Sequence, residues 1–238
     1  MKQNPKIANS GICDCIPQSG FCSNRCPACY YNNGFFRTLD KPLIPTLKEV
    51  GDKIVRVNSG HDSNLQKPLV LRTTKKYKKK FYNTSIHDFN FPAPVVYTIN
   101  GRNTDSKNPV YDVDRTEYKN VMAIRYRVNT WNSAGLVKVV DYFTGDRKVP
   151  VLLTFMRYQL YEQLSDPNDY EYKKHILNGY WSIKEEPWNK IVNKYKDNPL
   201  VFVCGKTYGN SYCKDCGNCE KLYNEQKIAT QSSGGARC

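Results

Sequence analysis

Short apolar runs, each closed by a polar or glycine-containing break, recur along the whole chain. Seven of them read as strands: residues 6–12, 53–58, 80–86, 94–100, 121–129, 150–156 and 200–203. Between them the pattern predicts helices over 42–50, 136–142 and 187–195. In the last of these Trp188, Ile191, Val192 and Tyr195 fall on one helical face, a stripe that reads as core. Strands alternating with helices argue for parallel βαβ units, and about six such units make a partial (βα)6, TIM-like barrel of the α/β class. Active groups of such a barrel come from the carboxyl ends of its strands.

A chain of 238 residues holds one such barrel and an appendage. The barrel is expected over 1–203, a cysteine-rich metal-binding extension over 204–225, and a disordered tail over 226–238, where Ser232-Ser233-Gly234-Gly235 offers nothing to bury. No internal repeat is visible. The longest apolar run, residues 149–156, contains Pro150 and Thr154 and is too short to span a bilayer. The opening Met1-Lys2-Gln3-Asn4-Pro5 lacks the apolar stretch of an export signal, so a cytoplasmic protein with no membrane partner is expected.

Ten cysteines then change the picture. In a reducing compartment disulfides are rare, and closely spaced cysteines point to metal or redox chemistry. Cys22, Cys26 and Cys29 stand in one short loop, Cys22-Ser23-Asn24-Arg25-Cys26-Pro27-Ala28-Cys29-Tyr30. Thiolates are soft ligands for iron–sulfur clusters, zinc or copper(I). A cuboidal iron–sulfur cluster normally takes four cysteines, so a loop offering three leaves one iron open.

The C-x3-C-x2-C spacing resembles that of the radical S-adenosylmethionine (radical SAM) enzymes. The resemblance implies a [4Fe–4S] cluster held by Cys22, Cys26 and Cys29, with SAM chelated to the open iron and an external electron donor. It further implies that one electron cleaves SAM to methionine and a 5′-deoxyadenosyl radical, which takes hydrogen from a substrate. The position before the last cysteine, often aromatic in that family, is Ala28 here. In that family a glycine-rich turn after the second strand receives the amino group of SAM. Ser59, Gly60 and Asp62 occupy the corresponding turn without matching the usual Gly-Gly-Glu.

Four strand-end segments are expected around one mouth: Cys22–Cys29, Ser59–Asp62, Asn100 and Asn129, the last a further candidate contact for SAM. Arg125 and Arg127 share a strand face and are placed either to bind the carboxylate of SAM or to pair with acids. His61 reads either as a general acid or base or as an exposed turn residue. His87 closes the strand over 80–86, and His175 is expected on a helix in a structural role. Three scattered histidines exclude a zinc-hydrolase pattern.

A second group, Cys204, Cys213, Cys216 and Cys219, contains two C-x2-C steps and is a strong metal signal. A closed zinc site and a second [4Fe–4S] cluster both fit it, the latter by resemblance to auxiliary clusters of some radical SAM enzymes. The combination of the two cysteine groups also resembles cysteine-rich proteins encoded by phages, which supplies no mechanism. Cys13 and Cys15 flank Asp14 and read as second-site ligands, buried small hydrophobes or a redox pair.

The formal charge of +14, from 36 Lys and Arg against 22 acids, suits a nucleic acid or nucleotide substrate, or simply reflects a lysine-rich composition. Its densest run is Lys75-Lys76-Tyr77-Lys78-Lys79-Lys80. The rival to a radical SAM enzyme is a zinc-stabilised, non-catalytic nucleic-acid-binding protein, in which Cys13 or Cys15 completes a four-ligand site with the Cys22 loop.

Overall fold

A computed structural model describes residues 7–24, 26, 29, 41–99, 120–174, 179–205 and 213–234. Six strands, β1 (Ile12–Cys15), β2 (Ile54–Val57), β3 (Lys80–Thr84), β4 (Val95–Ile99), β5 (Val121–Val128) and β6 (Val151–Phe155), lie side by side in chain order. Every neighbouring pair is parallel. Three short strands, β7 (Arg157–Tyr158), β8 (Tyr170–Lys173) and β9 (Tyr180–Ile183), form a separate antiparallel sheet in the order β7-β9-β8. The last strand, β10 (Val201–Val203), returns to pair in parallel with β6. The seven-stranded sheet curls into a half-barrel with β1 and β10 outermost among the described strands, compatible with the expected TIM-like partial barrel.

Two apolar layers sandwich the sheet. The outer layer contains Val55, Val57, Tyr82, Ile124, Tyr126 and Leu153, covered by helices. Those helices are α1 (Leu47–Val50), α2 (Lys67–Thr74), α3 (Ser133–Val140) and α4 (Glu185–Asn193), which contribute Val50, Val70, Leu136 and Trp188. Trp188 and Tyr195 are buried and Ile191 and Val192 pack beside them, so the predicted stripe is core. The inner layer is smaller. Ile12, Ile54, Phe81, Val96 and Leu152 meet Leu222 and Tyr223 of the last helix, which follows the short α5 (Cys213–Cys216) as α6 (Asn218–Gly234).

Several elements differ from the sequence pattern. The first strand starts at Ile12, because Ser10 closes a turn on the Ile7 carbonyl and its hydroxyl accepts from the Ile12 amide. Four buried residues, Ile12-Cys13-Asp14-Cys15, then form β1, with cysteine acting as a small apolar side chain. α1 begins only at Leu47, where Thr46 and Glu49 make a reciprocal capping box and the prolines stay outside. The stretch ahead of His175 is β8, not helix, and His175 lies outside the described residues. The backbone is helical to Gly234, through the first part of the segment expected to be disordered. Among the described residues no helix is long and apolar enough to cross a membrane.

Candidate functional site

Every second residue of a strand faces the same side of a sheet. Near the amino ends the inner side is apolar, formed by Ile12, Ile54, Phe81, Val96, Ala123 and Leu152. One step further along each strand it turns polar: Asp14, Arg56, Asn83, Thr98, Arg125 and Thr154. Arg127 follows on β5, and Cys204 directly after β10. The half-barrel is therefore plugged with hydrocarbon at its floor and lined with polar groups toward the strand ends.

The loop carrying Cys22, Cys26 and Cys29 leaves β1 at that polar end and is tied to the turn that follows β2. Gln18 Nε2 donates to the carbonyls of Asp62 (3.1 Å) and Leu65 (2.8 Å), and His61 Nε2 lies 3.0 Å from the Gly20 carbonyl. Asn24 Nδ2 donates to Ser85 Oγ (2.7 Å) and to Cys26 Sγ (3.3 Å). Ser85, the first residue past β3, sits 3.7 Å from Cys26 Sγ and donates its hydroxyl to Asp62 Oδ2 at 2.9 Å. Burial pushes the Cys22 thiol up, against the pull of backbone bonds involving Asn24 and Asp62. Burial likewise raises Cys26; the bond to Ser85 and the Arg127 guanidinium oppose this, while Cys29 adds to it.

Asp62 is the keystone of this rim. Oδ1 accepts from the Asn64 amide (2.9 Å) and Thr84 Oγ1 (2.8 Å), and Oδ2 from the Ser85 amide (2.6 Å) and Ser85 Oγ. Four donors occupy the acceptor sites of a carboxylate. These bonds position the turn in which the sequence analysis expects contacts to SAM; Ser59 and Gly60 are the half-buried members of the same turn. Replacing Asp62 with Ala strands several buried donors and is expected to lower stability on the order of 3 kcal/mol. Asp62→Asn is expected to lower it less. Urea unfolding midpoints read both changes, and an Asp62→Ala protein as stable as the parent overturns the assignment.

His61 is buried, not the exposed turn residue considered from sequence. Burial lowers its pKa from the ordinary value, with the bond to Gly20 acting the other way. The unfolded chain therefore takes up this proton first as pH falls, near the ordinary value of about 6.5. His61 should thus make the fold progressively less stable from that pH down to its own lower pKa, and be without effect above it. An NMR titration placing the His61 midpoint above 6.5 would contradict this.

Asn129 is also a positioning residue. Its Oδ1 accepts from the Asn132 amide (2.7 Å), its amide donates to Asn132 Oδ1 (3.1 Å), and its Nδ2 donates to Tyr158 of β7 (3.1 Å). It is fully buried and fixes the exit of β5 against the small sheet, at the position where the sequence analysis expects a contact to SAM. Asn100 lies outside the described residues. Arg125 donates to Asn83 Oδ1 at 3.1 Å, and Arg127 Nε to Met156 Sδ at 3.1 Å.

Cys13 and Cys15 take the opposite side of β1 from Asp14 and belong to the outer layer. Burial raises both thiols, Cys15 to about 12, and Cys15 Sγ lies 4.0 Å from the Tyr77 hydroxyl. They are buried small hydrophobes and face away from the Cys22 loop.

The second cysteine group is built into the half-barrel instead of hanging from it. Cys204 directly follows β10, and Cys213, Cys216 and Cys219 are carried across the inner surface by α5 and the start of α6. Arg56 Nη1 lies 3.6 Å from Cys213 Sγ. The contact with Cys216 and the nearby Arg125 and Arg56 guanidinium groups hold the Cys204 thiol below its ordinary pKa, against the effect of burial. Cys216, as the donor, is raised. Asp14, Arg56, Asn83, Thr98 and Thr154 escaped the sequence reading; the signal was there, as a polar residue two positions beyond an inward apolar one in each strand.

Among the described residues no three His, Cys, Asp or Glu side chains converge on a metal-binding point. The donor chemistry of the first group still fits a cluster. Three thiols share one loop, Cys26 feels the charge of Cys29, and N–H or O–H groups lie against the sulfurs of Cys22 and Cys26, as thiolates bound to iron require. The chain is thus a parallel half-barrel protein with a cysteine loop on its carboxyl rim. Compared with known proteins, it matches no family model, no curated protein and no solved structure.

Proposed function

We propose that this protein is a radical SAM enzyme, with Cys22, Cys26 and Cys29 as the ligands of a [4Fe–4S] cluster. The observation that carries the proposal is the ligand count in its setting. The loop stands at the carboxyl rim of a sequentially ordered parallel half-barrel, and the two cysteines nearest in sequence, Cys13 and Cys15, point into the outer core and offer no fourth thiol. When bound, the cluster supplies the electron that cleaves SAM into methionine and a 5′-deoxyadenosyl radical.

The chain's own residues do the rest. Asp62, Ser85 and Asn24 hold the loop, and the sulfur-directed donors around Cys22 and Cys26 stabilise the thiolate form. The turn at Ser59 and Gly60 offers backbone groups to the amino end of SAM, and Arg127, whose charge reaches Cys26 and opposes the rise of its pKa, offers a cation to the SAM carboxylate. The apolar floor closed by Leu222 and Tyr223 keeps water from entering below. The second centre, at Cys204, Cys213, Cys216 and Cys219, holds a second [4Fe–4S] cluster or zinc. The substrate is a nucleotide or nucleic acid, and reduction comes from an external donor.

Anaerobic purification followed by iron and sulfide analysis tests the reading. A brown protein with about four irons at the first site, cleaving SAM once reduced, is the expected result. A colourless protein carrying only zinc transfers the reading to a zinc-stabilised binding protein.

A further inference from the structure

We propose that the floor of the half-barrel, at the turn between α2 and β3, is a docking surface for the phosphate backbone of nucleic acid, remote from the cysteine loop. Lys75, Lys76, Lys78 and Lys79 are exposed there, Lys53 is exposed at the start of β2, and Lys80 is half-buried at the start of β3. None of the six has an ion-pair partner among the described residues. Lys79 and Lys80 donate instead to the carbonyls of Asp52 (3.2 Å) and Tyr77 (2.8 Å). The acids nearby are Asp52 and Glu49, and the Glu49 carboxylate is engaged in the capping box of α1.

The occupant follows from the chemistry of the patch. Tyr77, the ring inside the lysine run, is buried and donates to the Pro45 carbonyl at 2.6 Å, so no aromatic face is offered for bases to stack on. Lysine presents a mobile point charge and not the planar fork that reads base edges. What remains is sequence-independent contact with phosphates, strengthened by release of counterions. Ser85, which touches Cys26, lies past the far end of β3 from Lys80, roughly 16 Å away at about 3.3 Å per residue. A nucleic acid on the floor is anchored there without reaching the thiols, and the inference stands independently of the cluster.

Binding of a fluorescent mixed-sequence DNA duplex, measured from 50 to 200 mM salt, tests it. With about four phosphate contacts the affinity is expected to fall roughly 100-fold over that range, independent of sequence. The K75Q/K76Q/K78Q/K79Q variant is expected to lose most of that binding and salt dependence. The charge-matched K138Q/K174Q/K184Q/K190Q control is expected to lose little. If the quadruple variant does not fold, the K75Q/K76Q and K78Q/K79Q pairs read the same slope in two steps. Equal losses in variant and control overturn the proposal in favour of general charge attraction. Absence of duplex binding, with binding to anionic phosphatidylserine vesicles that the same variant abolishes, overturns it in favour of a membrane surface.

Discussion

Changing any one of Cys22, Cys26 or Cys29 to Ser is expected to remove the iron of the first site entirely and with it SAM cleavage, while Cys13→Ala and Cys15→Ala leave both in place. The contrast comes from the geometry of β1. Successive side chains alternate, so Asp14 faces the inner surface and its two cysteine neighbours face the outer core. Neither can swing into the Cys22 loop without turning the strand over. A hydroxyl at position 22, 26 or 29 is a poor substitute for a thiolate toward iron, and two remaining thiols do not hold a cuboidal cluster. Iron and sulfide content per chain checks the prediction, and unfolding midpoints show whether each variant is folded. Cys15→Ala should lower stability modestly, as a small buried deletion does, and leave the iron unchanged. Loss of iron in the Cys13 or Cys15 variants, with the fold intact, would transfer them to the ligand set and remove the open iron on which the radical reading depends. The triple variant at positions 22, 26 and 29 also isolates the second group: any metal it retains belongs to Cys204, Cys213, Cys216 and Cys219, and its identity separates iron–sulfur from zinc.

The fold was legible where hydrophobic periodicity was strong. Six of the seven expected strands recur within a residue or two of their observed bounds, because runs such as Val121-Met122-Ala123-Ile124 have few alternatives to a buried parallel strand. The first strand departs from the pattern because β1 is half cysteine, a residue that serves equally as a ligand and as a small hydrophobe. The small antiparallel sheet was missed because its strands are two to four residues long and carry exposed positions such as Glu171 and Tyr172. The site was legible only in part. Close cysteine spacings announce themselves, but the inward polar ring depends on which parity of each strand faces the concave side, and that is set by the packing of α6. The roles of Asp62 and Asn129 were hidden for a similar reason. Their partners, Ser85 and Tyr158, lie far along the chain, and no local pattern brings them together.

The inward ring also holds the largest stability effect expected of a single substitution. Arg56 Nε donates to Asp14 Oδ1 at 2.6 Å and Nη2 to Oδ2 at 3.1 Å, a two-pronged contact between adjacent strands with the carboxylate almost wholly buried. Attraction to Asp14 holds the guanidinium well above its ordinary pKa despite the opposing effect of burial, so it is charged under all ordinary conditions. Asp14→Ala leaves that charge buried without its carboxylate, and breaking such a pair costs about 3–5 kcal/mol. For a chain of this size the loss corresponds to roughly 10 °C in melting temperature. Replacing both partners at once, with Asp14→Leu and Arg56→Met, removes the stranded charge as well as the bond and is expected to restore most of the stability. The two results together distinguish an ion pair from mere packing, since a packing defect at position 14 would persist in the double variant. The double variant also tests what Arg56 does for the second cysteine group. Without the guanidinium beside Cys213, that group loses a cation near its sulfurs, so the metal proposed for it should bind more weakly even though the fold has recovered. A double variant as unstable as Asp14→Ala alone would show that the pair's worth lies in shape and not in charge.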